Sequence, residues 1–256
     1  MKNLIKKHAK SFYWASFFLS KPVFNKCSSL YNFCRTLDDI VDDDKKLEIK
    51  KYNFLKFKKD FINKNDNNSI IKEMWSIIDK ERISKQVVMD LFDGVQTDLK
   101  EKVEINSKKE LLIYSYRVAG TVGLMMSKIL KVNNKEALKG AIDLGIAMQL
   151  TNIARDVCED KARNRRYVNH NFSSIKEIIN ESQIFYNTSF HSISSIPLNS
   201  RFSVIVARRV YRKIGDYILK QKNIENYNNA GKIYVPIFEK IIQTFLSFLT
   251  LLNYYL

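Results

Sequence analysis

Arg35-Thr-Leu-Asp-Asp-Ile-Val-Asp-Asp-Asp44 places five aspartates, Asp38, Asp39, Asp42, Asp43 and Asp44, within seven residues. On a helix Asp38 and Asp42 stand four apart and stack on one face, and Asp39 and Asp43 repeat the pair one position round. Like charges at that spacing destabilise a helix, and aspartate is a poor mid-helix residue. Something must compensate. A hard divalent cation does so directly, since Mg²⁺ takes carboxylate oxygens and keeps its other sites for water and phosphate oxygens. Upstream, Leu30, Phe33 and Leu37 recur at helical spacing, and Ser20 with Pro22 suits a helix start.

A second acidic stretch lies more than 100 residues on, Gln149-Leu-Thr-Asn-Ile-Ala-Arg-Asp-Val-Cys-Glu-Asp160. Asn152, Asp156 and Asp160 are spaced four apart and form one polar stripe. Leu144, Ile146, Met148, Leu150 and Ile153 around it are apolar, so the stripe should face a cavity. A buried, uncompensated carboxylate costs several kcal/mol, which a metal, or arginine with metal, offsets. A single Asp-x-x-x-Asp is commonly only a solvated helix face. Two such stripes on separate helices are more specific, because facing each other they could hold Mg²⁺ ions around a diphosphate.

The rest of the chain supports a helical setting. Only 7 Gly and 3 Pro occur in 256 residues, too few for the tight turns of a sandwich, a barrel or a doubly wound sheet. Neither a G-x-G-x-x-G nor a G-x-x-x-x-G-K-[ST] stretch is present, so no nucleotide cofactor is expected. Helical periodicity marks 47–62, 70–79, 84–99, 108–130, 135–160, 174–191, 200–221 and 232–254, separated by polar clusters such as 63–69. Neither a repeat nor an interdomain linker stands out, and residues 1–256 read as one all-α domain. No run reaches the ~18–20 apolar residues that span a bilayer. The nearest, 241–256, is short and interrupted by polar residues. It reads as a buried terminal helix, with a membrane-surface contact as the second reading.

The net charge is +16, from 43 Lys+Arg against 27 Asp+Glu. It suggests an anionic partner, whether nucleic acid, anionic lipid or a phosphorylated small molecule. The blander account is a lysine-rich composition with a solvated surface. Nucleic acid is disfavoured, because the lysines are dispersed and only Arg208, Arg209, Arg212 and Lys213 cluster. Three scattered histidines, and cysteines at 27, 34 and 158 without metal-ligand spacing, argue against zinc, a catalytic triad or a disulfide framework. Cys27 and Cys34 read as small core residues. The basic then apolar N-terminus reads as a first helix rather than a signal peptide, and the expected location is cytoplasmic.

These stretches together resemble the squalene/phytoene synthase family of head-to-head prenyl transferases. The matching segments are SFYWASFFL (11–19), LYNFCRTLDDIVDD (30–43), YSYRVAGTVGLM (114–125), LGIAMQLTNIARDVCED (144–160) and ARRVYRKI (207–214). Their flavour is closer to bacterial phytoene and dehydrosqualene synthases than to eukaryotic squalene synthases. The resemblance implies the all-α isoprenoid synthase fold, with helices around a central active-site cavity. It implies joining of two geranylgeranyl diphosphates to phytoene through prephytoene diphosphate, with diphosphate released. Two or three Mg²⁺ ions would serve, with Mn²⁺ as a substitute.

Carried over residue by residue, Asp38, Asp42, Asn152, Asp156 and Asp160 would hold the metal, the four aspartates being catalytic. Arg35 and Arg155 would bind diphosphate. His8, Lys10, Ser11 and Phe12 would contact substrate, as would Tyr31, Tyr116, Gln149, Tyr211 and Lys232. Ala119, Gly120 and Gly123 would let a helix bend, leave room for a prenyl chain, or pack helices closely. Arg163 to Asn169 departs from the family by lacking its Gly and Pro, and would form a lid.

Rival expectations are a farnesyl diphosphate user making squalene or dehydrosqualene, and an inactive helical binding or assembly protein. Lipidic substrates and basic surfaces also imply peripheral membrane contact. Oligomeric state is not legible.

Overall fold

The computed structural model describes residues 9–132 and 134–252. Short α1 (Lys10–Ser16) leads into α2 (Lys21–Asp42), which carries the first acid ladder. Ser20 is the residue before α2, in extended conformation with proline in the first turn, although its hydroxyl makes no cap bond. Along α2, Leu30, Phe33, Leu37 and Val41 are essentially buried. They pack against α3 (Leu47–Ile62), α4 (Ser69–Glu81) and α5 (Lys85–Gln96). Phe33 sits at the centre of this half, its ring 5.7 Å from Phe57, 5.5 Å from Phe61 and 5.8 Å from Phe92. Burying one such side chain contributes roughly 1.5–3 kcal/mol.

After β1 (Val103–Glu104) come α6 (Lys108–Ser115), a five-residue π-helical turn (Tyr116–Gly120) and α7 (Thr121–Ile129). The continuous helix expected over 108–130 is thus interrupted. The central helix α8 (Lys135–Arg155) begins under Asn134, whose side chain accepts from the backbone N–H of Glu136 and Ala137. Its buried positions include Ala147, Leu150 and Ala154. A local break at Asp156 (φ −105°, ψ 15°) separates it from α9 (Val157–Ala162), so 135–160 is two helices rather than one. Then follow β2 (Arg165–Arg166), α10 (Phe172–Phe190), a 3₁₀ turn, α11 (Leu198–Leu219), α12 (Ile224–Asn229) and α13 (Ile237–Leu252).

Helix α8 packs mainly on α10, and also on α7 and α11. Gly123 sets the approach of α7 to α8, and Gly145 that of the π turn to α8. A Cβ at Gly123 would lie 2.1 Å from the Ala141 carbonyl oxygen, and one at Gly145 would lie 2.3 Å from that of Ala119. Close packing is therefore the role of Gly123, and Gly120 ends the π turn. Strands β1 and β2 pair in parallel, Val103 with Arg165 and Glu104 with Arg166. This pairing fastens the segment expected to be a lid.

Helix α13 corrects the sequence expectation. Instead of lying buried, it turns Lys240, Gln243 and Ser247 inward and leaves its large apolar side chains in solvent. Its reading as apolar was sound. The wrong inference was that apolar means interior, because the polar residues on the other face find partners on α1 and α11. Among the described residues no helix is long and apolar enough to cross a membrane.

Candidate active site

The two acid ladders meet across a cavity of about 570 Å³. From α2 it is lined by Tyr31, Arg35, Asp38 and Asp42, and from α8 and α9 by Gln149, Asn152, Arg155, Asp156 and Asp160. Lys10, Ser11 and Phe12 close one side, with Tyr211 and Lys232. The structure thus brings together nearly every residue picked out from the sequence. His8 lies outside the described residues.

Tyr116 is the correction. It does not line the cavity, and its hydroxyl instead donates to Asp90 Oδ2 at 3.2 Å. Tyr116 is the first residue of the π-helical turn. Tyr114, two positions earlier, reaches the cavity in its place.

The acids of each ladder divide into paired and unpaired. Asp42 accepts from Arg163 Nη1 at 2.9 Å and from Arg165 Nη1 at 2.8 Å, so arginines following the second ladder grip the first. Asp156 accepts from Arg155 Nε at 2.8 Å and Nη2 at 2.6 Å. Lys232 Nζ stands 3.4 Å from Asp156 and 2.6 Å from Glu159. Asp39 turns away from the cavity and holds Arg35 at 2.6 Å. By contrast, Asp38 and Asp160 make no side-chain hydrogen bond or ion pair among the described residues.

Solvent reaches Asp38 from the cavity, yet it lies deep among protein atoms. That burial, followed by the neighbouring Asp42 charge, pushes its carboxyl up to about 7. Burial, with Asp156 beside it, does the same for Asp160, also to about 7. One uncompensated acid from each ladder therefore faces the cavity.

That donor set fits magnesium: hard carboxylate oxygens, two of them without a direct ion pair among the described residues. Among the described residues no three ligating side chains converge tightly enough to enclose a cation. A cation here would complete its coordination from water and bound phosphate, which is how Mg²⁺ is usually held. Asp38, Asp42, Asn152, Asp156 and Asp160 are the residues that could hold it. Asn152 is oriented by Tyr211, whose hydroxyl donates to its Oδ1 at 2.7 Å. Phe12 and Tyr211 stand 5.0 Å apart, centroid to centroid, on the same wall.

Sequence reasoning missed Asp98. It lines the cavity floor, accepts from Tyr167 Oη at 2.5 Å and Tyr114 Oη at 2.8 Å, and has its carboxyl pushed up by burial. Tyr114 and Tyr167 stack at 4.8 Å. Asp98 lies in the turn just after α5, with no second acid at i+4, so no pattern marked it. A second cleft of about 590 Å³, between α6 and α10, contains neither acid ladder.

Comparison with known proteins agrees with this geometry. The family model described as squalene/phytoene synthase matches residues 5–171, more than half of the chain and both ladders. The chain belongs to the squalene/phytoene synthase family. Members of the family are prenyltransferases. Among curated relatives, the 15-cis-phytoene synthase of Pantoea ananas is 26% identical over 240 residues, covering 81% of this chain and 77% of that protein. The 15-cis-phytoene synthase of Paracoccus sp. is 31% identical over 150 residues, covering 52% of this chain and 49% of the relative. For phytoene synthase 1, chloroplastic, of Zea mays the figures are 27% over 259 residues, 90% and 62%. The match thus spans less than two thirds of two of these three relatives.

Among solved structures, a dehydrosqualene synthase in complex with ligand superposes with a TM-score of 0.80 at 25% identity, covering 98% of this chain and 94% of that one. The squalene synthase HpnC from Alicyclobacillus acidocaldarius gives 0.73 at 16% identity, with 85% and 91% covered, and shares the fold. The all-α isoprenoid synthase fold is thereby shown.

Proposed function

We propose that this chain joins two prenyl diphosphates head to head, taking two geranylgeranyl diphosphates to phytoene through prephytoene diphosphate. The observation that carries this reading is the pair of ladders across one cavity, each offering a carboxylate without a protein partner. Breaking the carbon–oxygen bond of an allylic diphosphate requires stabilising the departing anion in a site kept dry. Magnesium, two or three ions with manganese as a substitute, would neutralise that diphosphate when bound.

The chain's own residues do the rest. Arg35, Arg155, Lys232, Arg163 and Arg165 ring the ladders and can follow the leaving group's charge. Tyr211 holds Asn152 in place. Phe12 and Tyr211 present aromatic faces that exclude water and favour a carbocation. The chemistry as read is ionisation and coupling, without a nucleotide cofactor. Both ladders being intact and facing one another favours an enzyme over an inactive assembly protein.

A farnesyl diphosphate user is the second reading, favoured by the likeness to a dehydrosqualene synthase structure. Pure protein with Mg²⁺ and each prenyl diphosphate in turn, followed by identification of the hydrocarbons, decides the matter. Phytoene from geranylgeranyl diphosphate is the expected result. Product from farnesyl diphosphate alone would replace the leading reading with the second, and no product from either would overturn both.

A further inference from the structure

Helix α13 is amphipathic the wrong way round for a helix on a soluble body. Its inward face is polar. Gln243 accepts from Arg209 Nη1 at 3.2 Å and donates to Glu239 Oε1 at 2.8 Å. Thr244 accepts from Trp14 Nε1 at 2.9 Å, and Thr250 from Arg209 Nη2 at 3.0 Å. The outward face carries Ile237, Ile241, Phe245, Phe248 and Leu252 at spacings of four, four, three and four, flanked by Phe238, Ile242 and Leu249. All eight are exposed, Ile237 by 68% and Phe245 by 63%. None belongs to a hydrophobic cluster of the fold. Through Trp14 the face continues toward Phe17, 6.4 Å from the indole and itself 62% exposed. A contiguous apolar surface of this kind marks an interaction site.

Charge around the face says what kind. No charged residue of α13 lies on its exposed side, and Lys240 is buried behind it. The rim is basic. Lys10 is exposed with its ammonium 5.5 Å from the Tyr234 ring. Among the described residues Arg209 bonds the neutral Gln243 and Thr250, and Arg212, close enough to repel Arg209, bonds the neutral Gln183. Lys213 neutralises the two nearby acids, standing 2.8 Å from Asp216 and 3.9 Å from Glu239. Arg208 turns inward to the Tyr186 carbonyl, so the basic cluster is not one continuous exposed face of the kind nucleic acid needs. A second copy paired on this surface would bring the same cations against themselves, which is repulsive. An anionic bilayer accepts the aromatic and aliphatic side chains and the cations together.

We infer that the exposed face of α13, with its basic rim, is an interfacial anchor that seats the protein on an anionic lipid surface. The anchor begins at Ile237, two residues after Val235, which with Tyr234 lines the cavity. Seating α13 therefore brings that cavity wall to the bilayer. The inference rests on the surface alone and stands or falls separately from the substrate of the cavity.

The test is sedimentation of the full chain with vesicles of phosphatidylcholine alone and of phosphatidylcholine with phosphatidylglycerol. Binding to the anionic vesicles is expected, weakening with added salt. The double variant Phe245→Ser, Phe248→Ser should bind them at least ~10-fold more weakly, since each phenylalanine loses its apolar transfer. Arg212→Gln should weaken binding about fivefold, the effect of one cation near a charged bilayer. Both should keep the wild-type melting point and turnover. The single variant Ile241→Ser serves as a milder check should the double variant melt early. Absence of binding to anionic vesicles, or binding indifferent to the serine variants, would overturn the anchor. So would a wild-type dimer that the double variant splits, with neither form binding lipid.

Discussion

Asp38 concentrates the logic of the site in one side chain. It sits on the ladder face of α2, inside the cavity, with Arg35 nearby but no direct ion pair, whereas Asp42 one turn on is held by two arginines. In the cation-free chain its carboxyl titrates at about 7, against an ordinary 3.8. A raised folded value means the folded chain holds a proton that the unfolded chain has released. Its stabilising effect is complete below the ordinary value and is lost as pH rises through about 7. With a chelator present, the melting point should therefore fall between about pH 4 and pH 7, and Asp38→Asn should make that fall shallower, with Asp160 keeping its share. The same variant should lower turnover by at least ~10²-fold, the scale for one key electrostatic group, with the helical circular dichroism unchanged. Normal turnover of Asp38→Asn with Mg²⁺ would remove Asp38 from the metal set. At this scale the sequence was most legible where acids repeat every four residues, and silent at Asp98, whose importance comes from Tyr114 and Tyr167 arriving from other elements.

At the scale of elements, the helices follow from apolar spacing and their breaks do not. The interruption at Tyr116–Gly120 carries no proline, and its glycine, Gly120, ends the π turn against the Ile142 side chain. Tyr114, on the helix before it, lines the cavity, and Tyr116 at its start does not. Asp156 ends α8, yet its N–H still bonds the Asn152 carbonyl and the Asp160 N–H bonds its own carbonyl, so the ladder survives the break. The contact of α7 with α8 leaves no room for a methyl group at Gly123, because the obstacle is backbone rather than a flexible side chain. Gly123→Ala should destabilise the fold by roughly 1–3 kcal/mol, the usual cost of overpacking, measurable by chemical denaturation. An unchanged midpoint would show that the two helices separate easily. The β1–β2 pairing likewise ties the Arg163–Asn169 segment to Val103–Glu104 and carries Arg165 to Asp42.

For the whole molecule, the ladders matter because two halves of the chain close on one another, α2 with its aromatic core on one side and α8 with α11 on the other. Stripping divalent cations should abolish turnover while leaving helix content unchanged, since the cavity walls are held by apolar packing and the Asp42–arginine pairs. Loss of helical signal on chelation would instead assign the cation a role in folding. By itself the sequence determined the helical class, the two acid ladders, and the family, because these depend on residue spacing along one chain. Tertiary structure alone decided which acids stay unpaired, which tyrosine reaches the cavity, and which way α13 faces. Those outcomes depend on side chains contributed by distant elements: arginines from the β2 segment, Asp98 from the turn after α5, and Arg209 and Trp14 drawing the polar side of α13 inward.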